Sequence, residues 1–317
     1  MTSRQNAGEP LSQFIHGLPP ELGGLSFVDS APDFALAEQA DLFFLAVPHG
    51  TAAPYAVVLR EAGKMVVDLS ADFRTTDPTV YREFYGQDHP APSLLSEVVY
   101  GLPEIHRERL KSARLIAAPG CFPTSIILPL APFLRQPSPI KPYSIVATSL
   151  SGVSGAGRKL ETRLLFGEIT DNMYAYGVPK HRHLGEIEQE LSLAAGQNVT
   201  ITFVPHLVPM HRGMLTTITA EFDRVLASFP ITDADVFNML QEAYGQEPFV
   251  EVLPPGQMPE VRHVVNSNRI QIAARVDDRK NRLMLFSSLD NLGKGNASQA
   301  IQAANLASGL DEKLGLE

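Results

Sequence analysis

Short apolar runs alternate with helix-compatible segments in the first part of the chain. Residues 42–47 read LFFLAV and residues 65–69 read MVVDL, and the segment between them, 51–62, suits a helix. A third apolar run at 115–118 leads into a helical pattern over 124–134. Continuous apolar strands separated by helices are typical of a parallel sheet that is buried on both faces. The pattern therefore predicts β-α-β units in this region.

The second half of the chain has a different pattern, with longer strands and two amphipathic helices. Apolar residues recur at helical spacing over 184–195, and a second helix is predicted over 233–244. Strands are predicted over 144–149, 199–205, 215–222, 269–276 and 283–289. The last two flank a polar loop of hairpin length, which favours antiparallel pairing. We therefore expect an antiparallel sheet covered by helices on one face, and a domain boundary near Pro119.

The composition is that of a globular protein, with 44% hydrophobic and 19% charged residues in a chain of 317. This length is enough for two domains of ordinary size. Apolar runs stay well below the roughly 18 residues of a membrane span, and the N-terminus lacks the apolar core of a signal peptide. One cysteine excludes an intramolecular disulfide framework, and a net charge of −9 repels nucleic acid. We therefore expect a cytoplasmic protein that binds neither membranes nor nucleic acids.

The only cysteine, Cys121, lies in the tripeptide Pro119-Gly120-Cys121, between the third apolar run and the helical pattern. Pro123 is typical of the first turn of a helix, so Cys121 is predicted at or next to the N-cap. Unpaired N–H groups and the helix dipole at this position favour a thiolate and can bind an oxyanion. Cys121 is therefore a candidate nucleophile. The alternative is a small buried apolar side chain, the usual role of a free cysteine.

A cysteine that attacks an acyl group needs a partner that moves protons. The segment His181-Arg182-His183 supplies two imidazoles directly before the helix predicted over 184–195. If His183 caps that helix, Glu186 is positioned to reach back to the cap. A solvated helix entrance is one alternative, and a zinc site is another, built from the four histidines His181, His183, His206 and His211.

Three cations are candidates for binding an anionic group of a substrate. Arg158 and Lys159 follow a glycine-rich loop over 152–157, and Arg212 comes at the start of a predicted strand. Surface solvation is the alternative for each cation, and a tight structural turn is the alternative for the loop. The motif G-x-G-x-x-G, which a dinucleotide-binding fold normally carries after its first strand, does not occur in this sequence.

Several motifs, in this order along the chain, resemble those of the N-acetyl-γ-glutamyl-phosphate reductase family, relatives of aspartate-semialdehyde dehydrogenase. The resemblance covers the whole chain. It rests on 48–50 (PHG), 68–74 (DLSADFR), 100–104 (YGLPE), 119–124 (PGCFPT), 151–159 (SGVSGAGRK), 181–183 (HRH), 205–210 (PHLVPM) and 291–299 (NLGKGNASQ).

The resemblance implies a fold and a reaction. The fold is α/β, with a Rossmann-type NADP-binding domain over 1–119 that the C-terminal helix region 291–317 completes. An α+β catalytic and oligomerisation domain with a mixed, largely antiparallel sheet covers 120–290. The reaction is the NADPH-dependent reduction of N-acetyl-L-glutamyl 5-phosphate to the 5-semialdehyde, in arginine biosynthesis, through a thioester on Cys121. The implied proton-transfer residue is His181 or His183, and His183 is preferred because the helix that it begins can position it.

The resemblance also implies binding residues and partners. Ser3 and Arg4 are expected at the 2′-phosphate of NADP, and the other expected cofactor contacts are Ser151, Gly152, Gly155 and Asn291. The expected substrate-binding cations are Arg74, Arg158 and Arg212. No metal is expected. The substrate is a small acyl phosphate, and the protein is expected to form a homodimer or homotetramer.

The N-terminus departs from the family pattern. Family members begin with a strand and a G-A-S-G-Y-T-G loop, whereas residues 2–8 resemble the segment that comes after their second strand. About 35 to 40 residues, the first β-α-β of the cofactor fold, are therefore expected to be missing. This departure leaves two alternative functions open. One is a cofactor-less remnant that binds a partner or an acyl ligand, and the other is a related semialdehyde dehydrogenase with a different acyl substrate.

Overall fold

The computed structural model describes residues 1–3, 5–157, 160–223 and 231–316. The strands are β1 Leu42–Leu45, β2 Met65–Asp68, β3 Val98–Tyr100, β4 Leu115–Ala117, β5 Val146–Gly152, β6 Tyr174–Ala175, β7 Thr202–Val208, β8 Met214–Glu221, β9 Val250–Val252, β10 Ile270–Asp277 and β11 Arg282–Leu289. The α-helices are α1 Phe34–Ala37, α2 Ala52–Glu61, α3 Pro78–Tyr85, α4 Pro103–Leu110, α5 Cys121–Leu134, α6 Phe166–Ile169, α7 Leu184–Ala195, α8 Asp233–Tyr244 and α9 Ser298–Ala307. One turn of π-helix, Gly293–Ala297, precedes α9.

The first sheet is parallel and has the strand order β1-β2-β4-β3. Helix α2 connects β1 to β2 and buries its alanines and Leu59 against one face of the sheet. Helix α9 covers other sheet residues through Ala300, Ala303 and Ala304, whose small side chains permit close packing. Every residue of β2 is buried, as its continuous apolar run predicts. The predicted β-α-β organisation is therefore confirmed.

The second sheet is mixed and has the strand order β6-β7-β5-β8-β11-β10-β9. Its central pairings are antiparallel, and β10 and β11 form the predicted hairpin. Two pairings are parallel, β5 with β7 and β9 with β10, so the sheet is mixed. Parallel neighbours need a long crossover, and the connection between β5 and β7, which includes α7, is long enough to supply one. The α/β fold class with a mixed, largely antiparallel second sheet is confirmed.

Helices α5, α7 and α8 pack with the second sheet into one apolar core. Strand β8 alternates buried and half-buried residues, so one face of the sheet carries this core. Helix α9 follows β11 and returns to the parallel sheet. The two sheets thus use different stretches of the chain, and the division into domains over 1–119 with 291–317 and over 120–290 stays a prediction. Within the described ranges, no helix is long and apolar enough to serve as a bilayer-spanning segment.

Helix α5 is buried along almost its whole length although Pro129 and Pro132 lie inside it. A proline has no N–H, so each one leaves the carbonyl four residues earlier without its helical partner. The hydroxyl of Ser287 donates to Ser125 O at 2.6 Å, and the Tyr244 hydroxyl donates to Leu128 O at 2.7 Å. Both orphaned carbonyls are therefore satisfied by side chains from β11 and α8, which tie α5 to its neighbours.

A Tyr244→Phe variant is expected to lose about 1–3 kcal/mol of unfolding free energy, because Leu128 O would stay buried without a donor. In a Pro132→Ala background the same change should cost much less, since the new N–H of residue 132 can bond to Leu128 O. The four proteins form a double-mutant cycle, which denaturant unfolding at fixed protein concentration can measure. An equal loss in both backgrounds would show that the hydroxyl does not compensate for the proline.

Candidate active site

Cys121 is the first residue of α5, and the loop before it starts where β4 ends, at Ala117. Gly120 is the N-cap residue with extended backbone, and Thr124 N donates to Gly120 O at 3.1 Å to close the first turn. The prediction that Cys121 lies next to an N-cap is confirmed. The junction holds the thiol at the carboxyl end of a parallel strand, the edge at which open α/β sheets bind their ligands.

Burial changes the expected acidity of the Cys121 thiol. Removal from water raises its pKa to about 11, although Arg74 and the N–H groups of Phe122 and Cys121 itself favour the thiolate. Desolvation therefore outweighs the helix start, which by its position alone was expected to favour a thiolate. In the free chain at neutral pH the sulfur is mainly protonated. A nucleophilic Cys121 consequently needs a base or a substrate-linked change of environment.

Both histidines of the HRH segment lie close to Cys121 in the fold. A Cβ added at Gly120 would be 2.7 Å from His183 Nε2, so the His183 ring lies directly against the turn that begins α5. The His181 ring packs edge-on against Phe122 and against His183, with ring centroids 5.5 and 4.8 Å apart. Burial lowers the pKa of His181 to about 4, helped by Arg182, and lowers the pKa of His183 as well.

Glu186 does not form the capping box expected for α7. His183 occupies the N-cap position without a side-chain capping bond, and the buried Glu186 carboxylate turns toward the other sheet. Its Oε2 accepts from the Tyr100 hydroxyl at 2.8 Å and from Gly120 N at 3.2 Å. Burial raises the pKa of Glu186, and the cation of Arg74 counteracts this. Glu186 thus links α7 to Gly120, the residue before Cys121, a contact that helix spacing alone does not reveal.

Arg74, expected to bind substrate, lies at the same junction and is buried. Its Nε donates to Ala118 O at 2.9 Å, and its Nη2 donates to Leu69 O at 3.2 Å. Its Nη1 lies 3.3 Å from Glu186 Oε1 and 3.4 Å from His183 Nε2. Every nitrogen of this guanidinium therefore already has an acceptor in the chain, which leaves the substrate-binding role of Arg74 a prediction.

Four residues expected to contact the cofactor, Ser151, Gly152, Gly155 and Asn291, come together at the ends of β5 and β11. A Cβ at Gly155 would lie 2.8 Å from Ser151 Oγ and 3.4 Å from Asn291 Nδ2. Asn291 is itself held by the chain, because its Oδ1 accepts from Gly213 N at 2.6 Å. At Gly152 a Cβ would meet three backbone atoms of 210–212 within 2.9 Å, so close packing requires glycine there.

The remaining predicted binding residues lie elsewhere or outside the described residues. Arg4 and Arg158 lie outside the described residues. Ser3 N donates to Val28 O at 3.0 Å, and the Ser3 hydroxyl accepts from Asn6 N at 3.2 Å. Arg212 Nε forms an ion pair with the buried Asp290 at 2.7 Å. For these four residues too, the binding roles stay predictions.

The described residues contain no group of three or more histidine, cysteine, aspartate or glutamate side chains arranged to hold a metal ion. The alternative of a zinc site on four histidines therefore gains no support from the parts of the chain described. His206 lies on β7 and His211 in the loop before β8.

A nicotinamide cofactor fits the residues beside Cys121. A Cβ at Gly295 would lie 2.7 Å from Cys121 Cβ, so the π-helical turn packs against Cys121. In that turn the buried Oδ1 of Asn296 has no hydrogen-bond partner among the described residues, and it suits the carboxamide N–H₂ of a nicotinamide. The start of α2, by contrast, is not free for a phosphate, because Asp72 accepts its Ala52 and Ala53 N–H groups at 3.0 and 3.1 Å.

Comparison with protein families gives two matches that together span most of the chain. Residues 121–291 match the dimerisation domain of semialdehyde dehydrogenase, and residues 1–113 match the NAD binding domain of semialdehyde dehydrogenase. Relatives of the whole chain are named N-acetyl-gamma-glutamyl-phosphate reductase. One from Akkermansia muciniphila is 47% identical over 99% of this chain and 89% of its own length. One from Geobacter metallireducens is 46% identical over 100% of this chain and 89% of its own length.

Solved structures with the same fold are aspartate semialdehyde dehydrogenases. The enzyme II from Vibrio cholerae superposes with a TM-score of 0.70 at 19% identity, covering 97% of this chain and 88% of its own. The Candida albicans enzyme, crystallised with NADP, has a TM-score of 0.69 at 17% identity and covers 97% of this chain and 89% of its own. At this level of identity the likeness concerns the fold.

Proposed function

This chain belongs to the N-acetyl-γ-glutamyl-phosphate reductase family, and we propose that Cys121 is the nucleophile with which it reduces N-acetyl-L-glutamyl 5-phosphate to the 5-semialdehyde. The packing of Gly120 against His183 supports this proposal most directly. Gly120, the residue before Cys121, packs so closely on His183 that a Cβ would lie 2.7 Å from Nε2. This packing supports the proposal, because it holds an imidazole at the turn that carries the only thiol. Family membership supplies the substrate and the place in arginine biosynthesis.

The residues act in sequence on the acyl phosphate. His183 takes the proton of the Cys121 thiol, the sulfur attacks the acyl carbon, and phosphate leaves, which produces a thioester. When NADPH is bound, it supplies the hydride that reduces this thioester. Hydride addition leaves a thiohemiacetal oxyanion on Cys121. Its C–S bond then breaks, the aldehyde leaves, and the histidine returns its proton to the Cys121 sulfur. His181 is the alternative proton carrier, but its Nδ1 already accepts from His183 N at 3.1 Å.

We assign the binding roles from the same family membership. Ser151, Gly152, Gly155 and Asn291 hold the nicotinamide end of NADP next to Cys121, while Ser3 and Arg4 receive the 2′-phosphate. Arg212 binds an anionic group of the substrate, as does Arg158. Asp290 supports the role of Arg212, because it bonds only Nε and leaves the terminal nitrogens without a partner among the described residues.

We further propose that the protein acts in the cytoplasm as a homodimer or homotetramer. The match of 121–291 to a dimerisation domain supports self-association. The segment between β5 and β6 exposes large apolar side chains, with Phe166 83% and Met173 63% accessible. Apolar surface of this kind suits contact with a second copy, and the mass in solution distinguishes two copies from four.

The decisive assay runs the reaction backwards. The chain is expected to form NADPH from NADP when N-acetyl-L-glutamate 5-semialdehyde and inorganic phosphate are both present, and to stop when phosphate is omitted. With L-aspartate semialdehyde as the matched substrate, kcat/KM should be lower by about 10²-fold or more. A preference for the aspartyl compound would favour the related dehydrogenase. Absence of turnover with both aldehydes would favour the cofactor-less binding protein.

A further inference from the structure

The contact between Arg74 and His183 constrains where the imidazole carries its proton. A guanidinium has only donors and stays protonated, so at a separation of 3.4 Å the Nε2 of His183 must act as the acceptor. A proton on Nε2 would set two N–H donors against each other inside a buried site, and the nearest carboxylate oxygen, Glu186 Oε1, lies 3.9 Å away, beyond hydrogen-bonding distance. Burial and the nearby cations lower the pKa of His183, so the ring is neutral. A neutral ring whose Nε2 accepts carries its proton on Nδ1.

The surroundings of the ring agree with this tautomer. Nε2 lies against the Gly120 turn that begins α5 and within 3.4 Å of Arg74 Nη1. Nδ1 is buried and has no hydrogen-bond partner among the described residues, so no contact of the chain opposes a proton there. The Arg74 guanidinium is held in place by Ala118 O, Leu69 O and Glu186, from the parallel sheet and from α7. The guanidinium therefore acts on His183 from a fixed position.

We propose that Arg74 is a positioning residue for the reaction, which fixes His183 in the tautomer with a lone pair on Nε2 and a proton on Nδ1. This inference deepens the proposed function, on which its catalytic part rests. For the proton transfer, the Arg74 Nη1–H turns from Nε2 to its other acceptor, Glu186 Oε1 at 3.3 Å, which frees the Nε2 lone pair. The Cys121 S–H bond then breaks and an Nε2–H bond forms, which leaves the sulfur as a thiolate and the ring as an imidazolium. The adjacent Arg74 cation makes that imidazolium unfavourable, which drives the return of the proton later in the cycle.

The tautomer can be measured on the resting protein without substrate. Solid-state ¹⁵N spectra of sedimented protein labelled with ¹⁵N-histidine distinguish protonated from unprotonated ring nitrogens, and the difference from a His183→Gln variant identifies His183. We expect Nδ1 protonated and Nε2 unprotonated in the unmodified chain. Arg74→Met should shift His183 toward Nε2–H, and Arg74→Lys, which keeps a cationic donor, should restore Nδ1–H.

A matched control removes another ion-paired arginine beside the same sheet. The Arg60 side chain on α2 is 14% exposed and bonds Glu97 at 2.8 Å, so Arg60→Met should cost stability without changing the His183 signals. An unprotonated Nδ1 in the unmodified chain would overturn the proposal, as would unchanged His183 signals in Arg74→Met. If Arg74→Met does not fold, the spectra of the unmodified chain and of Arg74→Lys still test the proposal, because both are expected to show Nδ1–H. The spectra need no turnover. The tautomer of His183 can therefore be tested even if the reductase assay fails.

Kinetics separate positioning from substrate binding. If Arg74 acts through His183, Arg74→Met lowers kcat by about 10²-fold, the scale of general-base catalysis, with little change in KM for the acyl phosphate. A residue that binds the substrate anion would instead raise KM and leave the tautomer unchanged. That second pattern would overturn the positioning role and would support the substrate-binding role expected from the sequence.

Discussion

A Cys121→Ser variant is expected to lose the reductase activity, with kcat lower by about 10⁴-fold or more. A serine hydroxyl stays protonated at neutral pH and attacks an acyl phosphate poorly, and an ester accepts hydride less readily than a thioester. The change removes little volume, so the packing of Gly295 against residue 121 should persist and the thermal midpoint should stay within about 2 °C. Steady-state kinetics and a thermal scan on the same samples measure both quantities.

Alkylation provides the control, because the chain has only one cysteine. The rate of modification by iodoacetamide should rise with pH through the neutral range toward pH 11. Burial raises the thiol pKa to about 11, and the thiolate is the form that reacts. The serine variant should resist the reagent, and acyl phosphate should protect the unmodified chain. Full activity in Cys121→Ser would rule out the thioester mechanism.

Lys294→Met is expected to lower the free energy of unfolding by about 3–5 kcal/mol. The Lys294 ammonium group is fully buried and lies 2.5 Å from the equally buried Glu104 carboxylate and 2.7 Å from Gln302 Oε1. The variant would leave Glu104 as an unpaired charge in the interior. Lys294 directly precedes Gly295, which packs on Cys121, so the activity should fall together with the stability. Denaturant unfolding at fixed protein concentration and the reductase assay test both effects.

Two further variants show whether the pairing causes this loss. In Lys294→Met with Glu104→Met, neither charge remains, and most of the lost stability should return, because burying a lone charge is the main cost. Lys111→Met removes the exposed partner of Glu108, an ion pair of 2.7 Å on the surface. It should change the unfolding free energy by no more than about 0.5 kcal/mol. Equal losses in Lys294→Met and in the double variant would contradict the explanation by an unpaired charge.

Much of the fold could be predicted from local sequence, because its elements have strong periodicity. Helices α7 and α8 begin and end at the predicted residues, and the predicted strands of the second sheet differ by at most three residues at either end. The short strands β6 and β9 were not predicted. The parallel β5–β7 pairing escaped prediction. Strand patterns reveal which face is buried, but not which strand becomes the neighbour, since that depends on the path of the long crossover.

For the site, the sequence identified the groups but not their contacts. The HRH segment and the PGC junction were predicted to carry catalytic groups. Glu186 was expected only to cap its own helix. In the fold it reaches Tyr100 and Gly120 on the other side of the junction, because the helix α7 packs there. Arg74 was expected to bind the substrate, and the sequence did not indicate that its guanidinium is also bonded within the chain. Lys294 and Glu104 are 190 residues apart, so no local pattern indicates their pairing.

Local sequence was enough to predict many of the strands and helices, the single thiol at a strand-to-helix junction, and the order of motifs that relates the chain to its family. These depend on residue type and spacing, which act over a few residues. The pKa of the Cys121 thiol could be assigned only from the three-dimensional fold, because it depends on the groups that surround the sulfur in space. Burial turned a helix start expected to favour thiolate into a site that favours the thiol. The fold also brings His183, Arg74 and Glu186 into contact with one another, and these groups influence where the proton of the His183 ring lies.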